Sequence, residues 1–184
     1  TVRVAAYGRL AFYGQETAGH RENTLDLAQN AVVAFHPDGW GARATTAYVH
    51  RVVSPKNEGC SIVAGSRQTV EVGSIATWTR LRGNRDGSSA YIVDAVDPDQ
   101  GISLGKGVRL ALRGAAATGD DAFRVSYFPE DGVTIAPSTL ELAGPDIALK
   151  HVAVDAGCTL QLAGTGSVGT LKDPTFAGLF PGMT

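Results

Sequence analysis

Asp94, Asp97 and Asp99, with Gly101 beside them, are the nearest the sequence comes to a site for a hard cation. Calcium takes several carboxylate and carbonyl oxygens, and one loop can supply them. An EF-hand spacing puts its final acidic ligand where Val108 stands. Asp97-Pro98-Asp99-Gln100-Gly101 also has the composition of an ordinary turn, in which Asp accepts hydrogen bonds from its own backbone. The three aspartates stand as calcium candidates beside that turn reading.

Gly164-Thr165-Gly166-Ser167-Val168-Gly169 matches the glycine pattern of a dinucleotide-binding loop and comes after a strand-like run, Thr159 to Leu162. The chemistry needs a helix opening behind the glycines and an acidic residue about twenty positions on, to hold the pyrophosphate and the ribose. The residues beyond Gly169 instead include Pro174 and Pro181, so the segment reads as a Gly-rich hairpin turn. Gly105-Lys106-Gly107 lacks the surroundings of a phosphate loop. His20, His36, His50 and His151 show neither HxH nor HExxH spacing, although a hairpin could bring His36 and His50 together. No serine lies in a GxSxG elbow. No cofactor is called for, and the chain reads as a non-enzyme.

Trp40 and Trp78, with Tyr48 and Tyr91, are the residues that could stack on sugar rings. Trp78, between Thr77 and Thr79 in a strand-like run, reads as core. Trp40, between Gly39 and Gly41 after a Pro-Asp-Gly turn, reads as an exposed contact residue.

The whole chain narrows the partners. Its 16 basic and 18 acidic residues leave a formal charge of −2, which gives counterion release on nucleic acid no evident source. Arg80, Arg82 and Arg85 form a local cluster that reads as a charged strand edge and turn. No apolar run is long enough for a membrane-spanning helix. The opening lacks both Met and the zones of a signal peptide, so a processed product and a trimmed piece both fit it. Cys60 and Cys158 admit one long-range disulfide or two buried thiols, which leaves the compartment open.

These groups must be positioned by short extended segments. Alternation of apolar and polar residues recurs along the chain, interrupted by turn residues. Val2 and Val4 together with Leu10 to Tyr13 suggest a hairpin. Residues 15 to 30 read as a weakly ordered loop, in which Thr24 fits a helix cap and Leu25 and Leu27 fit a strand. Val108, Leu110 and Leu112 alternate with Arg109, Ala111 and Arg113, and Phe123, Val125 and Tyr127 with Arg124 and Ser126. Such strands have one wet face, a habit of antiparallel sheets. The expected fold is therefore all-β: an antiparallel β-sandwich or jelly-roll-like domain over residues 1–171. From about residue 115 onward the strand rhythm alone is similar to an immunoglobulin-like half.

Residues 172–184 form a Pro- and Gly-containing arm with Phe176, Leu179, Phe180 and Met183, apolar side chains that must pack on the chain's own sheet or on a neighbour. With little chemistry and such an arm, the leading expectation is a non-catalytic structural subunit of a repetitive assembly, such as a virion coat or decoration protein or an extracellular filament. Its partners would be copies of itself or other subunits. The alternatives are a secreted module binding glycan or protein, with Trp40 in contact, and an enzyme on a β-scaffold.

Overall fold

In a computed structural model of the chain, the backbone is described over residues 1–13, 23–36, 44–53, 60–77, 79–105, 107–113, 116–125, 136, 138–142, 147–154, 159–162 and 167–171. Strand residues 98–101, 116–125, 142, 147–154, 159–162 and 167–171 are described by backbone and pairing alone.

The strands, in chain order, are β1 (Val2–Val4), β2 (Arg9–Tyr13), β3 (Thr24–Leu27), β4 (Val32–His36), β5 (Thr45–Val53), β6 (Cys60–Ala64), β7 (Gln68–Ala76) and β8 (Thr79–Arg82). They continue with β9 (Ser89–Val93), β10 (Val96–Leu104), β11 (Val108–Leu112), β12 (Ala116–Val125), β13 (Thr139–Leu142), β14 (Ile147–Val154), β15 (Thr159–Leu162) and β16 (Ser167–Leu171). All sixteen belong to one hydrogen-bonded sheet. Every pairing is parallel, and each strand pairs with strands one coil away in place of its neighbour in sequence. The all-β expectation holds, but the antiparallel sandwich or jelly roll does not: the chain winds as stacked coils, a β-solenoid.

Register sorts the coils into three faces. The first carries the start of β5 and β7, then β9, β11, β13 and β15. The second carries β1 and β3, then the ends of β5 and β7 and the starts of β10, β12 and β14. The third carries β2, β4, β6 and β8 and the ends of β10, β12 and β14. β7 turns from the first face to the second at Gly73, where a Cβ would stand 2.6 Å from the His50 carbonyl oxygen in the coil above.

The core consists of columns of residues in register. Ala47, Val70, Tyr91, Leu110 and Leu140 stack on the first face, with Val49, Val72, Val93 and Leu112 beside them. Leu25, Val52, Ile75 and Val96 stack on the second, and Leu10, Val33, Ile62, Leu81 and Leu104 on the third. Apart from the half-buried Leu10 and Ala47, all of these are buried. One coil cannot bury its apolar side alone, and each added coil dries the one beneath it. Each fully buried Leu, Ile or Val contributes roughly 1.5–3 kcal/mol of hydrophobic stabilisation.

The corner leading into the first face is polar and inward. Gln68 donates to the carbonyls of Thr45 at 3.1 Å and Thr69 at 2.8 Å, and its Oε1 accepts from the Thr45 hydroxyl at 2.7 Å. One coil on, the buried Ser89 hydroxyl accepts from the Asn84 N–H at 2.7 Å and reaches the carbonyl oxygens of Ala64 and Gly65. Ser138 receives the Val108 N–H in the same way, at 3.3 Å. These side chains satisfy backbone groups that the turning chain removes from the ladders.

Other expectations fall with the hairpins. β1 and β2 pair with β3 and β4 and not with each other, and β15 and β16 pair with β13 and β14; residues 164–166 of the glycine pattern lie outside the described residues. Thr24–Leu27, expected within a loop, is strand β3. Asp97 to Gly101, read as an ordinary turn, lie within β10, whose register with β12 shifts twice there. Arg80 and Arg82 are the outward residues of β8, an internal strand between β6 and β10 and not an edge. The immunoglobulin-like rhythm beyond residue 115 belongs to parallel coils.

Candidate functional site

A strand inside a solenoid is paired on both edges, so a coil paired on one side only stands apart from the rest. Among the described residues, β1 pairs only with β3 and β2 only with β4. Among the described residues, the exposed large hydrophobic ones, Val2, Tyr7, Phe12 and Tyr13, all lie in this coil. Tyr7 is 69% and Tyr13 73% exposed. Phe12 stacks on Phe35 of the next coil with ring centroids 5.2 Å apart, and Tyr13 stacks on His36 at 5.1 Å. Each ring thus has one face on the coil of β4.

The backbone of this coil divides in the same way. Val32 donates to the Gly8 carbonyl at 2.9 Å, and Ala28 to the Val4 carbonyl at 3.0 Å. By the alternation of a parallel ladder, Leu10 and Phe12 therefore direct their N–H and C=O groups toward β4, while Arg9, Ala11 and Tyr13 direct theirs away from the stack. Arg3 lies along the second face, its Nε 3.1 Å from Asp26 Oδ2 in the coil below. At Tyr7 the backbone is left-handed, with φ 58°, and Asn30 one coil below has φ 54°. The first face is finished differently. There Asn23 Nδ2 donates to the Tyr48 carbonyl at 2.9 Å and its Oδ1 accepts from the His50 N–H at 2.7 Å, so one side-chain amide bonds two backbone groups on the β5 edge that faces away from β7.

Two polar arrangements lie elsewhere. In the turn before β9, Asp86 accepts from the Ser88 hydroxyl at 2.6 Å and its N–H at 3.0 Å, and from Ser66 at 2.8 Å. These bonds, Ser88's first, lower its carboxyl to about 2 against partial desolvation. On the second face, Arg51 joins Asp97 at 2.9 Å and Ser74 at 3.3 Å.

Of the residues singled out from sequence, Asp97 thus has its carboxylate on a guanidinium, and Asp94 is exposed, its N–H bound to the Val72 carbonyl. The side chain of Asp99 lies outside the described residues. Among the described residues no group of three His, Cys, Asp or Glu side chains converges as a metal site would. Trp40, Trp78, Cys158, His20, Phe176, Leu179, Phe180 and Met183 lie outside them, as does the side chain of His151. His36, on the third face, and His50, on β5, are not brought together by a hairpin. Cys60 is buried, with its thiol 3.5 Å from the Leu27 carbonyl oxygen. Tyr91 is core: its hydroxyl lies 2.6 Å from the Arg82 carbonyl and 2.9 Å from that of Ile62, and burial pushes the phenol up.

Sequence reasoning missed the first coil. Its signal was Leu10-Ala11-Phe12-Tyr13, where apolar residues run on instead of alternating with polar ones. Compared with protein-family models, with curated proteins and with solved structures, the chain matches none.

Proposed function

We propose that the chain is a non-catalytic structural subunit of a repetitive assembly, a β-solenoid rod of the kind that builds a virion coat or an extracellular filament. One observation carries this reading: the exposed large hydrophobic side chains among the described residues are gathered on one coil, that of β1 and β2, instead of being scattered. A coil that presents Phe12, Tyr7 and Tyr13 to water calls for a covering partner.

Native mass spectrometry of the purified chain tests the reading. Species of several copies, growing with concentration, are expected. A single mass equal to one chain across the accessible concentrations contradicts it. Removing residues 172–184 separates the roles of arm and coil: assembly that depends on the arm is lost, and assembly that depends on the first coil persists.

A further inference from the structure

We propose that the outer side of the third face binds a linear acidic polysaccharide, whose anionic groups are held by the guanidinium groups of Arg9, Arg80 and Arg82. This surface is a flank of the stack, so filling it leaves Tyr7 and Phe12 to the contact that builds the assembly.

Register lines the outward positions of this face into columns. One runs through Arg9, Val32, Ser61, Arg80, Ser103 and Arg124, the last placed by its backbone alone, and the next through Ala11, Ala34, Val63 and Arg82. Arg9, Arg80 and Arg82 are exposed, and among the described residues none of them has a carboxylate partner. No acidic residue stands in either column. The acids lie elsewhere: Glu71 and Glu141 are outward on the first face, while on the second Asp26 and Asp97 are matched by Arg3 and Arg51. A chain with a formal charge of −2 thus carries one cationic flank.

The spacing of the charges selects the anion. Arg80 lies three coil steps from Arg9 and two from Arg124, about 14 Å and about 10 Å, and Arg82 is about 7 Å along the strand from Arg80. Duplex DNA carries a charge every 1.7 Å or about that, and this sparse row cannot neutralise it. It suits a polymer whose carboxylates or sulfates are separated by uncharged sugar atoms, each oxyanion meeting a planar guanidinium fork. Between the arginines, Val32, Ala34 and Val63 form a half-buried apolar floor for sugar C–H groups, and the Ser103 hydroxyl beside Arg80 can exchange hydrogen bonds with sugar hydroxyls. Tyr13 is outward on the same face, 73% exposed and stacked on His36 at 5.1 Å, a ring on which a sugar can pack. An acidic peptide would add to a strand edge, but β6 and β8 are paired on both sides and offer only side chains.

Biolayer interferometry of the full chain on immobilised polygalacturonate, dextran sulfate, neutral dextran and oligothymidylate is the test. Saturable binding to an acidic polysaccharide and none to dextran is expected, weakening as salt rises. The two acidic polymers tell a carboxylate ligand from a sulfate one. Joint Arg80→Gln and Arg82→Gln should weaken binding about tenfold, the scale of two exposed ion pairs, with dichroism and melting unchanged. Arg109→Gln, outward on the first face, should leave binding as it was. Should the double variant melt early, Ser103→Glu carries the test by setting a carboxylate beside Arg80. Failure to bind either acidic polysaccharide overturns the proposal, as does equal binding to dextran. Binding that neither third-face variant weakens, or that Arg109→Gln weakens as much, overturns the assigned face. Tighter binding to oligothymidylate overturns the polysaccharide in favour of nucleic acid. None of these outcomes decides whether chains assemble, which native mass measures separately.

Discussion

Asn23 holds Tyr48 as a neighbouring strand would: its side-chain amide donates to the Tyr48 carbonyl at 2.9 Å while accepting from the N–H of His50 at 2.7 Å. One residue thus supplies the donor and acceptor spacing of a parallel ladder along the β5 edge that faces away from β7.

Asn23→Ala should cost about 1 kcal/mol of folding stability, because one part-buried and one exposed backbone bond are given up to water. Asn23→Asp retains the acceptor for His50 and places a carboxylate oxygen against the Tyr48 carbonyl. It should therefore be no better than Ala above the carboxylate range. Urea denaturation of the three proteins checks this order, and a stable Asn23→Asp would refute the assigned orientation of the amide.

Tyr91 joins the first face to the third through the interior. Replacing it with Phe leaves the ring in its column and removes a hydroxyl within 2.6 Å of the Arg82 carbonyl and 2.9 Å of the Ile62 carbonyl. A loss of about 1–3 kcal/mol is expected, with an unchanged far-ultraviolet spectrum. No change in denaturation midpoint would mean that these carbonyls are satisfied elsewhere.

Asp86 supplies a pH dependence of known sign. Bonds from Ser88, then Ser66, lower its carboxyl from an ordinary 3.8 to about 2. A depressed folded value stabilises the protein above the ordinary carboxylate range, and the contribution is lost as pH falls through the folded value. Its window is therefore about pH 4 down to about pH 2. Asp86→Asn should flatten the stability profile there and lower stability near neutrality, where the bonded carboxylate contributes in full. Carboxyl titration by NMR in Ser88→Ala should move Asp86 back toward 3.8.

Gly107 has φ +63°, and a Cβ there would press on the Asn84 carbonyl oxygen in the neighbouring turn. Gly107→Ala meets both a left-handed backbone and a backbone clash. A destabilisation of about 1–3 kcal/mol is expected in thermal melts. A neutral result would show that the turn does not hold this conformation.

The strands were legible because alternation marks any strand with one dry side. Their partners were not, because a solenoid strand and an antiparallel sandwich strand share that pattern, and Pro-Asp-Gly segments mark a corner as readily as a reversal. The informative signal was recurrence. Thr69-Val70-Glu71-Val72, Ala90-Tyr91-Ile92-Val93, Arg109-Leu110-Ala111-Leu112, Thr139-Leu140-Glu141-Leu142 and Thr159-Leu160-Gln161-Leu162 repeat one pattern, and the structure stacks them in register. A spacing of roughly twenty to thirty residues between such tetrads is that of a solenoid. The rule that one-sided strands are antiparallel misled here, since a solenoid wets one side of a parallel sheet. Of the site, the aspartates of 94–99 drew attention by residue type, yet Asp97 engages Arg51 through a pairing of coils that no local spacing reveals. Tyr7, Phe12 and Tyr13 drew none, because exposure at the end of a stack depends on what lies above the coil.

The parallel stacking itself is tested most directly by the distance between spin labels at Thr69 and Arg109, introduced as non-native amino acids. Both positions lie on the outer side of the first face, and Ala90 stands between them in register. Two coil steps place their backbones about 10 Å apart, so frozen spectra should show strong dipolar broadening, absent when the second label is moved to Arg80 on the third face. Unbroadened spectra from the Thr69 and Arg109 pair would contradict the stacked coils and, with them, the exposed first coil on which the assembly reading depends.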